Sequence, residues 1–377
     1  MVEVHSGDSL TVEREKDYQL VRIYLATVKA PVLQKKPGEE PDPWAWDAKE
    51  ALRKAAIGKR VRVVMEYSRT VKAGEADRNM DFATLFLDKT ERNVSCGLLE
   101  KGLLRTNIMK NGDNASKYIE DLLAAEKKAV EAKLGLYSSS PAPIRVINDV
   151  VQNTKRAKDF EAMIMKRPSR KINGVVEYCF SGMRFKVRLE GENTAIGLNL
   201  LGVRTMANDK NQPKLLELSN DALQFAKDTV FQRDVVVDLE FADKRGSFFG
   251  TVMLKNTKED FGLLLIRNGL AEISIIGNKA PENLAHLEEA EEVARQDERG
   301  IWQKGVRVAG SEREVVYNER VSVLMTDITD ASKFYIRIQA GSDYPKIEAE
   351  MGRFSPAMHE DLERPVKKGT ICAARFT

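Results

Sequence analysis

The segment Lys166-Arg167-Pro168-Ser169-Arg170-Lys171 places four cations in six residues. Lys155 and Arg156 precede it, and Arg184 and Lys186 follow. Between Ile144 and Glu190 there are eleven basic and five acidic residues, a local balance of +6. Such a cluster binds phosphates in a salt-dependent way and reads little sequence. Lys59, Arg60 and Arg62 form a second, weaker cluster. The opposite sign gathers in Glu282–Arg299, with seven acids and two bases. The chain total, 60 basic against 57 acidic residues, hides both regions. Aromatics make up only 7% of the 377 residues. Tyr178 and Phe180 alternate in a strand, so one face there must be core, and Phe185 reads as core. That scarcity points to backbone recognition, and so to duplex RNA read by shape and phosphates.

Other chemistries have little to work with. Cys96, Cys179 and Cys372 are odd in number and far apart, which excludes a disulfide framework and a paired-cysteine zinc site. His5, His286 and His359 are equally scattered. No stretch approaches the ~20 apolar residues that span a bilayer, and Leu25–Val28 is too short for a signal-peptide core. The expected setting is a reducing compartment, with no membrane partner.

The elements that must position the cations repeat. A strand, a Ser-Gly turn and a second strand occur around Ser6-Gly7 and again around Ser181-Gly182. A leucine-rich segment closed by Gly-Leu occurs at Gly102-Leu103 and at Gly269-Leu270. A charged helix ends in Leu136-Tyr137 and in Ile301-Trp302. The offsets are 175, 167 and 165 residues. In the first copy, Gln19–Leu25, Arg60–Tyr67 and Phe82–Leu87 read as strands, and Ala45–Ala56 and Asn114–Lys133 as helices. In the second, Lys186–Leu189, Val235–Phe241 and Phe248–Leu254 read as strands, and Leu215–Asp228 and Leu284–Asp297 as helices. Five short strands with a helix between the third and fourth predict a small closed barrel, α+β in class. Trp44 and Trp46 read as core anchors opening the first helix, and Trp302 as core at a helix end.

This gives a domain over residues 1–140, a basic linker over 141–171 and a second domain over 172–305. The remainder, 306–377, opens with two strands, Arg320–Asp327 and Lys333–Gln339. A helix at Tyr344–Met351 and a strand at Val366–Phe376 follow, and an end in mid-strand reads as a piece of a longer protein.

The ordered set Ser6-Gly7-Asp8-Ser9, Leu20–Leu25, Gly97–Leu103 and Gly135-Leu136-Tyr137 resembles staphylococcal-nuclease-like OB-fold domains. In the second copy, Val175–Gly182 and Asp243–Gly250 match more closely. The tandem copies followed by Val321–Phe376 resemble the Tudor staphylococcal nuclease (Tudor-SN) family. The resemblance implies its third and fourth nuclease-like domains plus the start of the Tudor domain. Phe376 matches the first aromatic of the family's methylarginine cage; the other cage residues would lie beyond Thr377.

An active member of that family holds Ca²⁺ on carboxylates, positions water with a Glu and stabilises the developing charge with two Arg. In the first copy the resemblance places Asp8 and Arg22 on two of these five groups. Ser6 replaces the first Asp, Thr27 the second, and no acid occupies Lys29–Pro31. The second Arg falls near Met80, with Arg78 close by. In the second copy Met183, Gly197, Gly202 and Ser247 occupy the corresponding places.

The reading is therefore a nucleic-acid-binding scaffold without a catalytic site or metal ligands. Its expected RNA-binding residues are Lys155, Arg156, Lys166, Arg167, Arg170, Lys171, Arg184 and Lys186. Resemblance implies roles in RNA silencing as part of RISC, RNA processing or decay, and transcriptional coactivation. It also implies the matching protein partners and a cytoplasmic location, with the nucleus as a second setting. One alternative is a Ca²⁺-dependent endonuclease using Asp8 and Arg22, the only reading with a cofactor. Another is a protein-interaction scaffold using the acidic helix Leu284–Asp297.

Overall fold

The computed structural model describes residues 2–33, 39–73, 76–88, 91–108, 115–140, 147–151, 153–206, 213–277, 279–303, 323–330 and 333–338. The chain forms two compact units, Met1–Val308 and Ala309–Thr377.

The larger unit holds both copies. In the second copy, Lys171–Cys179 pairs antiparallel with Arg184–Leu189, which pairs with Thr194–Leu200. That strand runs parallel to Phe248–Leu254. Phe248–Leu254 pairs with Asp234–Ala242, which returns to Lys171–Cys179 and closes a five-stranded barrel. The first copy follows the same order through Glu3–Val4, Ser9–Glu13, Leu20–Leu25, Ala76–Leu87 and Val61–Ala73. In chain order the helix Ala45–Ala56 lies between the barrel strands Leu20–Leu25 and Val61–Ala73. This is the α+β barrel that strand spacing predicted.

Each barrel has its own apolar interior. Leu10, Ile23, Leu25, Leu52, Leu85 and Leu99 fill the first. Phe185, Val187, Val237, Phe248, Val252 and Phe261 fill the second. The helix Ala45–Ala56 buries Ala45, Ala48, Leu52 and Ala56, a stripe at three- and four-residue spacing.

The recurring landmarks are contact points. A Cβ on Gly7 would lie 2.6 Å from the Ala48 Cβ, and one on Gly182 would lie 2.7 Å from the Ala222 Cβ. The Ser-Gly turn thus sits directly on the helix that follows the third strand, and only glycine opposite alanine permits it. The Gly-Leu and aliphatic-aromatic landmarks meet each other. Gly102 and Gly135 both have positive φ (66° and 53°), and the Leu136 amide donates to the Gly102 carbonyl at 2.8 Å. Gly269 and Gly300 repeat this at 65° and 51°, with the Ile301 amide donating to the Gly269 carbonyl at 2.8 Å.

Two expectations change. Residues 154–164, read as part of a basic linker, form the helix Thr154–Ile164. Its Ala157, Phe160 and Ile164 are buried in the second core, because apolar residues at helical spacing outweigh the surrounding charge. The first copy's last helix starts at Ile119 and ends at Glu131, inside the expected Asn114–Lys133.

In the smaller unit, Val323–Asp330 and Lys333–Ile338 form an antiparallel pair. The expected Tyr344–Met351 and Val366–Phe376, with Phe376, lie outside the described residues.

The glycine pair gives a direct test. Gly102→Ala adds a Cβ 2.1 Å from the Leu134 carbonyl oxygen at positive φ. Left-handed strain and overpacking together predict a loss of about 2–5 kcal/mol, read from chemical denaturation.

Candidate nucleic-acid interface

The strands Lys171–Cys179 and Arg184–Leu189 carry the site. Inward positions alternate along them: Cys179 faces Phe185 and Val176 faces Val187, all buried. The register shifts between Lys186 and Val187, so Glu177 is extra on its strand. As a result Tyr178 lies opposite Lys186 on the outer face, and the Phe180 amide donates to the Arg184 carbonyl at 2.9 Å.

Tyr178 is 55% exposed and Phe180 43%, with ring centroids 5.0 Å apart and edges to faces. The Arg184 guanidinium lies 5.2 Å from the Phe180 ring centre. One face of this strand pair is core, as expected, and it is the face of Cys179 and of Phe185, which was read as core. Tyr178 and Phe180 share the solvent face.

This face forms one wall of a cleft of about 1030 Å³. The opposite wall is the first copy's helix, through Trp46, Lys49, Glu50 and Arg53. Trp46, expected as a core anchor, instead lies in the cleft with the Arg188 guanidinium 5.0 Å from its ring centre. Trp44 does pack partly buried on the first core. Trp302 is only partly buried under Arg295, and its neighbour Ile301 takes the core position.

Arg53 ties the walls together. It is 5% exposed and donates to Glu50 at 2.7 and 2.9 Å, to Asp234 at 2.6 Å and to the Gln232 carbonyl at 2.8 Å. The Gln232 side chain donates to the Val4 carbonyl at 3.0 Å and accepts from the Val4 amide at 2.7 Å. Arg188 donates to Glu50 and to Glu177, each at 3.1 Å. Burial alone would raise the Glu50 pKa. The Arg53 hydrogen bond and the charges of Arg53, Arg188 and Lys54 hold it instead at about 2. Burial also lowers the Lys49 pKa from its usual value, against the raising effect of Glu177 and Glu3.

The eight expected RNA-binding cations divide. Arg167 makes two bonds to Glu192, at 2.7 and 3.0 Å. Arg170 binds Glu240 at 3.0 Å, Lys171 lies 3.8 Å from Asp238, and Lys186 pairs with Asp149. Arg156 reaches Asn148 at 3.4 Å. Among the described residues Lys155, Lys166 and Arg184 have no acidic partner. The structure brings Arg184 and Lys186 together beside the aromatic pair. It places Lys155, Arg156 and Lys166 on or just after the helix Thr154–Ile164, and Arg170 and Lys171 beside the strand Asp234–Ala242. In the weaker cluster, Lys59 donates to two helix-end carbonyls, Arg60 pairs with Glu15 and Arg62 covers Phe86.

The residues at the nuclease-like positions do not fit a Ca²⁺ site. The Asp8 carboxylate accepts from the Ser6 hydroxyl at 2.6 Å and the Ala30 amide at 2.9 Å, which makes it a loop clamp. The Thr27 hydroxyl accepts from the Ser116 amide at 2.8 Å and brings no charge. Arg22 is exposed, 5.5 Å from the Tyr24 ring centre. Glu50, Glu190 and Asp234 lie close together, but the Arg53 guanidinium already bonds to Glu50 and Asp234.

Fold and site together define tandem OB-type barrels with an aromatic and cationic outer face. The family model described as staphylococcal nuclease homologue matches residues 22–139 and 197–304, more than half of the chain, and the chain belongs to that family. Over its whole length it is 30% identical to Ribonuclease TUDOR 2 and 29% identical to Ribonuclease TUDOR 1, both of Arabidopsis thaliana. It is 24% identical to Staphylococcal nuclease domain-containing protein 1 of Drosophila melanogaster. The chain spans 41%, 42% and 44% of these relatives, respectively, and is a match to the Tudor-SN type over that stretch. Among the described residues no helix is long and apolar enough to cross a membrane.

The buried guanidinium predicts how the barrels respond to substitution and acid. Arg53→Ala leaves Glu50 and Asp234 without their shared partner and should cost about 3–5 kcal/mol. Glu50 has a folded pKa below its usual 4.5, so its stabilisation is present above that value. It fades as pH falls toward about 2. Denaturation midpoints across this range should fall in the native chain, and less steeply in Arg53→Ala.

Proposed function

We propose that this chain is a non-catalytic nucleic-acid-binding scaffold, and that its ligand is RNA. The observation that carries the reading is the outer face where Tyr178, Phe180 and Lys186 line an open cleft, with the Arg184 guanidinium beside Phe180. Exposed aromatics take the faces of unpaired bases, and neighbouring cations take the phosphates.

This face shifts the preferred ligand. The duplex expectation rested on the scarcity of aromatics among the cations, and two exposed ones border the cleft. Duplex ends offer a stacking surface only at their termini, so RNA with unpaired bases fits better. The name ribonuclease describes relatives more than twice as long. In this chain the engaged Asp8 and the neutral Thr27 support binding over cleavage. Roles in RNA silencing, RNA processing or decay and transcriptional coactivation belong to the same proposal for the whole protein. So do the matching protein partners and the cytoplasmic and nuclear location. All of these rest on resemblance.

The test is fluorescence anisotropy of labelled single-stranded and duplex RNA in EDTA across a salt series. Single-stranded RNA should bind more tightly, with an affinity that falls as salt rises. Tyr178→Ala with Phe180→Ala should weaken it roughly 5- to 150-fold per base lost from the stack. Arg184→Ala should reduce the salt slope by about 0.7. Tight duplex binding untouched by the aromatic substitutions would restore the duplex reading. Ca²⁺-dependent cleavage abolished by Asp8→Ala would overturn the non-catalytic one.

A further inference from the structure

Among the described residues, the cleft between the copies is lined by four cations, Lys49, Arg53, Lys186 and Arg188. Three of them are held by carboxylates. Arg53 bonds to Glu50 and Asp234, Arg188 to Glu50 and Glu177, and Lys186 to Asp149. The Lys49 ammonium is different. Among the described residues it has no ion-pair or hydrogen-bond partner, and its neighbour is the Trp46 ring, with the centre 5.5 Å away. Lys49 is nevertheless half-buried. A covered ammonium normally recovers the hydration it loses through a carboxylate or a carbonyl.

The helix Ala45–Ala56 explains the position. Trp46, Lys49 and Arg53 are spaced by three and four residues and share the face that lines the cleft. The helix cannot rotate to release Lys49 to solvent. On one side Ala48 meets the turn at Gly7, and on the other Arg53 is bonded to Asp234 and the Gln232 carbonyl. Lys49 is therefore carried into the cleft although no acid receives it there.

Two consequences meet at its nitrogen. Burial disfavours the charged form and lowers the Lys49 pKa, and Arg188 acts in the same direction. Glu177, Glu3 and Glu50 oppose this without cancelling it. The free amine, which is the nucleophilic form, is thus more populated than on a fully hydrated lysine. The cleft, at about 1030 Å³, is also large enough for a small reagent to reach it.

From this juxtaposition of a partnerless, half-buried amine and an open cleft, we propose that Lys49 is a site of Nε-acylation by a small acyl thioester. The amine nitrogen attacks the thioester carbonyl. The C–N bond forms as the C–S bond breaks, and the sulfur leaves as a thiolate. The proton released by the nitrogen passes through water to that thiolate, giving a free thiol. No oxidant or reductant is involved. An aldehyde would react with the same amine, but in an open cleft water returns the imine to its components, whereas the amide persists. The product is neutral. Acylation of Lys49 removes the cleft charge that no carboxylate holds, and it breaks no ion pair. Acylation of Lys186 would strip Asp149 of its partner, and the guanidiniums of Arg53 and Arg188 stay protonated.

This inference is independent of the RNA reading, and its test contains no nucleic acid. The native chain is incubated at neutral pH with limiting S-acetyl-N-acetylcysteamine, a thioester with no nucleotide part. Acetylation of each lysine is followed over time by peptide mass spectrometry. Lys155 and Lys166 are internal references, because both are exposed and neither has an acidic partner among the described residues. Lys49 should be acetylated several-fold faster than either, and unfolding the chain in denaturant should abolish the difference. Glu177→Gln keeps an oxygen acceptor for Arg188 but removes the charge that most opposes loss of the Lys49 proton, so it should speed the reaction further. Acetylation of native Lys49 no faster than that of the references overturns the proposal. So does an advantage that survives unfolding, or a Glu177→Gln chain that folds and reacts no faster at Lys49.

Discussion

The buried guanidinium of Arg53 holds the arrangement together. It rises from the first copy's helix and bonds to Glu50 beside it, to Asp234 on the second barrel and to the Gln232 carbonyl. A charge this deeply covered is tolerated only because carboxylates and a carbonyl surround it. Gln232 extends the link by bonding both backbone groups of Val4 with its amide. Arg188, held by Glu50 and Glu177, completes the join. The geometry of the cleft follows from this network. One wall is the helix that carries Arg53, and the other is the sheet that carries Arg188, Tyr178 and Lys186.

The same chemistry explains why counting cations overstated the basic junction. Arg167, Arg170, Lys171 and Lys186 each face a carboxylate from elsewhere in the chain. Three of those carboxylates, on Glu192, Asp238 and Glu240, lie outside the window that gave the +6 balance. A local charge sum cannot see acids that folding brings in from 25 to 70 residues away. What distinguishes the candidate face is Arg184, without an acidic partner among the described residues, beside two exposed rings, more than the local net charge.

The residues at the nuclease-like positions are engaged within the fold. The Asp8 carboxylate accepts bonds from Ser6 and Ala30 within its own loop region, and a threonine hydroxyl stands where a second carboxylate would be needed. The long strands beside it keep an aromatic pair in both barrels, set by the same irregularity in register. The fold has kept its frame there while the charged groups of its surface have changed.

The tandem repeat, the α+β barrel class and the family resemblance were all legible in the sequence. Turn glycines, strand alternation and helix spacing are local properties that recur at a fixed offset. Gly7 with Gly182, and Gly102 with Gly269, advertise close backbone contacts because no other residue fits there. The absence of carboxylates at Ser6 and Thr27 was legible too, since it is a matter of residue type. The outward orientation of Tyr178 and Phe180 was not. It depends on Glu177 being extra in its strand, and a one-residue shift of register exchanges the two faces of a strand. The helix within residues 154–164 was hidden because its charged face dominates its composition while three apolar residues decide its burial. The partners of Arg53 and the matched aromatic pairs came only with the tertiary structure. They join residues up to 181 positions apart, and no local pattern records which distant groups a closed barrel and a buried charge will bring together.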